Sequence, residues 1–103
     1  MIVTFSSRHM AVTEPLKVYA TEKANKLNKY FDRISEIEVV VEHEDHNGSP
    51  MRVEMIVNAD HQKFVAHCSQ ADAYQCIDAV VNKLERQLTD HKERHRNRKH
   101  PDA

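Results

Sequence analysis

The sequence predicts an α+β domain with element order β-α-β-β-β-α, a four-stranded sheet carrying two helices packed on one face. Three observations carry that expectation. Two segments, one from residue 14 to 31 and one from residue 70 into the low nineties, repeat apolar residues at helical spacing. Four shorter segments alternate apolar and polar residues at period two. Between the second and third of these lies Asn47-Gly48, a hairpin-turn dipeptide whose positions tolerate positive φ; Gly48 is the only glycine of the chain.

The first strand is read at Ile2–Ser7, where Val3 and Phe5 alternate with Thr4 and Ser6. Thr13 follows as a helix N-cap, with Glu14 and Pro15 in the first turn, where a missing N–H is tolerated. Leu16, Tyr19, Ala20, Lys23, Leu27, Tyr30 and Phe31 form the apolar stripe of the first helix. Lys23 fits there if its stem packs and its ammonium reaches water. In the second strand Ile37, Val39 and Val41 face one way and Glu36, Glu38 and Glu42 the other. Met51, Val53, Met55 and Val57 point inward from the third, and Phe64, Ala66 and Cys68 from the fourth, after a turn at His61-Gln62. Ser69 and Asp72 read as a capping box opening the last helix at Gln70. Ala73, Ile77, Val80, Val81, Leu84 and Leu88 are its stripe, which His91 and His95 prolong. The helix is expected to fray in the low nineties. An antiparallel sheet with one face covered by both helices leaves the glutamate-rich face in water.

At 103 residues the chain has room for one core. The expected organisation is a single domain over 1–95 and a basic, disordered tail over 96–103. Hydrophobic residues make up 40% and charged residues 30%, the balance of a folded soluble protein. No apolar run is long enough to cross a bilayer, and "MIVTFSSRHM" lacks the pattern of a signal peptide, so a cytoplasmic protein is expected. The two cysteines, Cys68 and Cys76, read as reduced thiols in small buried spaces.

The formal net charge of −1 hides a strong asymmetry. Between residues 34 and 60, Glu36, Glu38, Glu42, Glu44, Asp45, Glu54 and Asp60 face a single base, Arg52. The end of the chain is the reverse: Lys83, Arg86, Lys92, Arg94, Arg96, Arg98 and Lys99 outnumber Glu85, Asp90 and Glu93. A charge dipole of this kind lets one side seek a polyanion although the total cannot. On a helical wheel Lys83, Arg86 and Arg94 share a flank with Gln87, and Asp90 intrudes on it. Basic side chains there would neutralise phosphates. The element order is also that of folds presenting helices to double-stranded RNA, an analogy of fold alone.

Other chemistries find less support. A nucleophile needs a base held by a third group, and nothing fixes a histidine beside either cysteine. A lone glycine cannot build a phosphate-cradling loop. His43-x-x-His46 and His91-x-x-x-His95 have metal-ligand spacing, but no Cys-x-x-Cys accompanies them and Lys92 replaces the glutamate of a metalloprotease motif. No catalytic residue, metal site or cofactor is therefore assigned.

The stretches "RHMAVTEPLKVYATEKANKLNKYFDRI", Arg8–Ile34, and "DAYQCIDAVVNKLERQLTDHKER", Asp72–Arg94, resemble the short form of the ribosome hibernation promoting factors, a family that includes the ribosome-associated inhibitor called protein Y. "YFDRI" and "AYQCID…NKLERQL" are the most specific pieces. The resemblance implies a non-enzymatic domain that binds the small subunit of the 70S ribosome; a monomer off the ribosome is expected because no surplus apolar face remains once the core is built. It would sit near the decoding region, obstruct the mRNA and tRNA sites and inhibit translation in starvation or stationary phase. Carried over by position, Arg8, Lys23, Lys26, Arg33, Lys83, Arg86, Lys92 and Arg94 would contact 16S rRNA. Ser7 stands where many members have glycine, and Asp90 where lysine is common. A short-form member is expected, without the linker and second domain of long members and without the acidic tail of protein Y. Whether ribosomes are paired or only silenced stays open. A general double-stranded-RNA-binding module or RNA chaperone is the alternative reading.

Overall fold

The computed structural model describes residues 2–8, 12–43 and 51–98, the stretch 95–98 by its backbone alone. Its elements are β1 (Ile2–Arg8), α1 (Glu14–Tyr30), β2 (Ile34–His43), β3 (Met51–Ala59), β4 (Gln62–Gln70) and α2 (Ala73–Arg98). The sheet order is β1-β2-β3-β4. β2, β3 and β4 pair antiparallel, but β1 runs parallel to β2, with Ile2 beside Glu36 and Arg8 beside Glu42. The wholly antiparallel sheet expected from the sequence is corrected at this pair. A helix-length crossover returns the chain to the end from which β1 started, and α1 is that crossover.

Period-two alternation places the inner face as expected. Ile37, Val39, Val41, Val53, Met55 and Val57 are fully buried, and Leu27, Ile77, Val80, Leu84 and Leu88 close over them from the helices. Each such side chain contributes on the order of 2 kcal/mol of transfer free energy. α1 differs in detail from its predicted stripe. Leu16, Ala20, Ala24 and Leu27 are buried, while Tyr30 is 50% exposed and Phe31 leaves the helix as an extended C-cap that is itself buried. Small Ala20 and Ala24 are fully buried, and the closest backbone neighbour of α1 is α2 rather than the sheet.

Thr13 caps α1 as its sequence position suggests, its hydroxyl accepting from Leu16 N–H at 3.3 Å. The start of α2 is a correction. Ser69 lies in β4, and Asp72 alone is the cap, its carboxylate accepting from Tyr74 N–H at 2.9 Å. The period-two pattern runs two residues further than the capping box allowed, so the helix begins at Ala73 rather than Gln70. At the other end the α2 backbone stays helical to Arg98 rather than fraying in the low nineties. The tight connection between β3 and β4 is Asp60-His61, both at positive φ (53° and 63°), as in a type I′ hairpin turn. The expected Asn47-Gly48 turn, His46, the His95 side chain and the end of the chain lie outside the described residues.

Edge strand β4 is covered by side chains of α2. Lys83 Nζ donates to the His67 carbonyl at 2.9 Å, and Gln87 Nε2 donates to the Val65 carbonyl at 3.0 Å. Both carbonyls belong to a strand with no further neighbour among the described residues, so these bonds blunt an otherwise open edge.

Candidate nucleic-acid interface

Two helices lie side by side over the sheet, and their lateral contact builds the surface of interest. Tyr19 of α1 donates its hydroxyl to Asp78 Oδ1 at 2.7 Å, and its ring meets that of Tyr74 edge-on at 5.0 Å. Lys23 Nζ lies 3.8 Å from the same Asp78 oxygen and 5.3 Å from the Tyr19 ring centre, its stem packed as the sequence required. The hydrogen bond to Asp78 is the main reason the Tyr19 hydroxyl is pushed above its ordinary ionisation range. Asp78 thus ties the helices together and takes part of the Lys23 charge.

Beyond this tie the helices open into a groove of about 310 Å³, lined by Lys23, Lys26 and Tyr30 from α1 and by Asp78, Val81, Asn82 and Glu85 from α2. Asn82 and Glu85 also line a second depression on the outer side of α2, with Arg86, Thr89 and Asp90. The structure therefore puts Lys23 and Lys26 on the helix–helix groove and Arg86 on the neighbouring depression, with Asn82 and Glu85 common to both, a juxtaposition that the helical wheel of either helix alone does not reveal. Asp90 sits beside Arg86, as the sequence suggested.

The other sequence-predicted cations lie elsewhere. Arg94 is exposed on the β4 flank of α2 with Lys83, whose bond to the His67 carbonyl gives it a structural task as well. Lys92 is nine positions from Lys83, roughly half a turn out of phase at ~3.6 residues per turn, and projects from the opposite flank. Arg8 is exposed at the end of β1 beside Glu42. Arg33 occupies the opposite end of the sheet, 55% exposed, with Nη1 3.5 Å from Asp60 Oδ1. Asp60 also contacts His91 Nε2 at 3.1 Å, and the imidazole packs against Phe31 and Phe64. His91 prolongs the α2 stripe as a packed side chain.

The far face of the sheet has the opposite character. Glu36, Glu38, Glu42 and Glu54 line it, with Asn58 donating to Glu36 at 3.3 Å and Arg52 3.7 Å from Glu54. Val40, Ile56 and the exposed Val65 cross this face as an apolar diagonal that the glutamate count had hidden. Acidic side chains are thus concentrated on this face, and Lys23, Lys26 and Arg86 lie on the helical side.

Cys76 is fully buried and donates weakly to the Cys68 carbonyl at 3.5 Å. Burial, and then the neighbouring Cys68 thiol, push it up to about 12. At pH 8 its thiolate fraction is then on the order of 10⁻⁴, so Cys76 is no nucleophile. The sign also fixes a pH response. An unfolded thiol ionises near 9 and the folded one does not, so this contribution to stability is complete below about pH 9 and is lost towards 12. Alkylation at pH 8 is expected to spare Cys76 until denaturant is added; modification of Cys76 in the native protein at the rate of a free thiol would refute its placement. Among the described residues no three His, Cys, Asp or Glu side chains are grouped to hold a metal ion, and no helix is long and apolar enough to cross a membrane.

Known proteins share this architecture and sequence. The fold superimposes on a ribosomal subunit interface protein from Coxiella burnetii with a TM-score of 0.80 at 22% identity, over 90% of this chain and 99% of that one. The N-terminal domain of Thermus thermophilus protein Y gives 0.75 at 25% identity, over 88% and 99%. In sequence, the ribosome hibernation promoting factor of Pseudomonas putida is 35% identical over 94 residues, spanning 91% of this chain and 89% of its own. That of Escherichia coli K12 is 31% identical over 94 residues, spanning 91% and 96%. The family model of the Sigma 54 modulation protein / S30EA ribosomal protein matches residues 3–96, every described element from β1 to most of α2, and the chain belongs to that family.

Proposed function

We propose that the protein is a ribosome hibernation factor: it binds the small ribosomal subunit near the decoding region through 16S rRNA, obstructs the mRNA and tRNA sites and lowers translation in starvation or stationary phase. Family membership supports the hibernation role, since relatives matched over nine-tenths of the chain carry that name. The observation that supports the RNA contact is the placement of exposed Lys26, Arg86 and Arg94 on the helical layer, on the side away from the acidic sheet. Activity of this kind is steric and electrostatic. The protein occupies a path, and its cations replace the counterions of the RNA backbone. No bond is made or broken, so no catalytic group is required. Arg94 and Lys83 extend the basic flank of α2, Lys92 adds charge on its opposite flank, and Arg8 and Arg33 add charge at the two ends of the sheet. Off the ribosome the protein is a monomer of one domain, working in the cytoplasm where ribosomes are.

Purified protein is expected to co-sediment with small subunits at low salt, to be released as salt rises, and to be displaced by mRNA or tRNA. Equal affinity for arbitrary RNA duplexes would replace this reading with a general double-stranded-RNA module. Ribosome profiles from starved cells expressing the protein would separate pairing from silencing of single ribosomes.

A further inference from the structure

Tyr30 occupies a position where the α1 stripe calls for a core residue, yet half of it is exposed, at the mouth of the groove between α1 and α2. Its ring has no aromatic partner and its hydroxyl no hydrogen bond among the described residues. Across the groove stands Glu85, half-buried and likewise without a hydrogen bond or ion pair there. Asp78, the other acid of the groove, is already engaged by Tyr19 and Lys23. Lys26 is exposed at the same mouth. Phosphate would not settle against two carboxylates, so the groove is poorly suited to the RNA backbone itself. It suits a neutral, flat group that stacks on an aromatic ring, offers N–H donors to a carboxylate and trails a phosphate toward a lysine.

Resting on the ribosomal-RNA reading above, we propose that this groove is a subsite for one unstacked guanine base, with Tyr30 as the stacking platform, Glu85 as the acceptor for the base edge and Lys26 at the adjoining phosphate. Single-stranded RNA is commonly recognised by splaying a base onto an aromatic side chain. An ionised carboxylate has only acceptors, two oxygens side by side. Guanine presents two neighbouring donors, N1–H and the N2 amino group, on its Watson–Crick edge. Adenine and cytosine present one amino donor beside an acceptor nitrogen that the carboxylate repels, and uracil presents a single imino donor between two carbonyls. The groove therefore adds base selectivity to a surface whose other contacts, made to phosphate, carry none.

The test uses the full chain with purified small subunits, measuring affinity against salt for the wild type, Tyr30→Ala, Tyr30→Phe and Glu85→Gln. Stacking releases no counterions. Tyr30→Ala is expected to weaken binding on the order of tenfold with the slope of log K against log salt unchanged, and Tyr30→Phe to restore most of the loss. Glu85→Gln is expected to weaken binding several-fold, again without a change of slope. In parallel, a reagent that adds across N1 and N2 of unpaired guanine should find one guanine of the subunit RNA protected by the wild type and by Tyr30→Phe but not by Tyr30→Ala. Tyr30→Ala binding like wild type at every salt overturns the subsite and leaves the proposed function standing. So does a fall in the salt slope, the mark of a lost phosphate contact, or guanine protection indifferent to residue 30. A wild-type protein that does not bind subunits overturns both readings. Thermal unfolding of Tyr30→Ala should match the wild type, because the ring is not in the core.

Discussion

Replacing Arg86 and Arg94 together with alanine is expected to weaken binding to small subunits by tenfold or more and to reduce the salt slope by about two. Both side chains are exposed on the outer surface of α2. A charge-assisted contact to phosphate contributes roughly 1.5–3 kcal/mol, and each one removed lowers the slope by about one. Lys83 is the more obvious choice from sequence, since it shares their flank. Its bond to the His67 carbonyl makes it a poor probe, because a substitution there also uncovers the edge of β4. Titrations between about 50 and 200 mM salt give the slopes directly. If the double variant keeps the wild-type slope and affinity, this flank of α2 does not touch the RNA backbone.

Leu84→Ala should produce the largest loss of stability at any single position considered. Leu84 is fully buried where α2 packs on the sheet, and truncation leaves a cavity in a small, close-packed core. The expected loss is about 2–5 kcal/mol, out of a total of roughly 5–15 for a domain of this kind. In a domain of about a hundred residues that lowers the melting temperature by roughly 10–25 °C. Calorimetry or denaturant titration measures it. A change below about 1 kcal/mol would mean that the α2–sheet interface is looser than its burial indicates. The two variants also separate their causes: the arginine pair should unfold like wild type while binding poorly. Leu84→Ala should lose binding only as far as it unfolds.

Much of the fold was legible because it rests on local periodicity. Ile37, Val39 and Val41 of β2, and Ile77, Val80, Leu84 and Leu88 of α2, are buried where alternation and helical spacing put them. Thr13 caps α1 because a hydroxyl before a Glu-Pro start has one favourable task. Errors arose where two local signals competed. Ser69 and Asp72 fit a capping box, but Ser69 also continues the alternation of β4 and pairs with Arg52, and the ladder prevailed. Tyr30 fits the α1 stripe by spacing, yet Ala24 is buried in the core and Tyr30 is left half exposed. The parallel β1–β2 pair was not legible at all, since strand direction depends on where a crossover returns the chain.

The candidate interface divides the same way. Charge, a local property, showed that the end of the chain is basic and the β2–β3 segment acidic. Family resemblance supplied a set of cations by position. Only the tertiary packing determined that Lys23 and Lys26 line one groove with Arg86 in the depression beside it, that Asp78 and Asp60 occupy Lys23 and Arg33, and that Lys83 serves the β4 edge. The sequence by itself determined the elements, their buried faces and the polarity of charge, because these follow from periodicity and composition within one segment. The tertiary structure alone decided which cations are available to an RNA backbone and which aromatic is left uncovered. Both depend on neighbours distant in sequence, whose approach is fixed by the joint packing of helices and sheet.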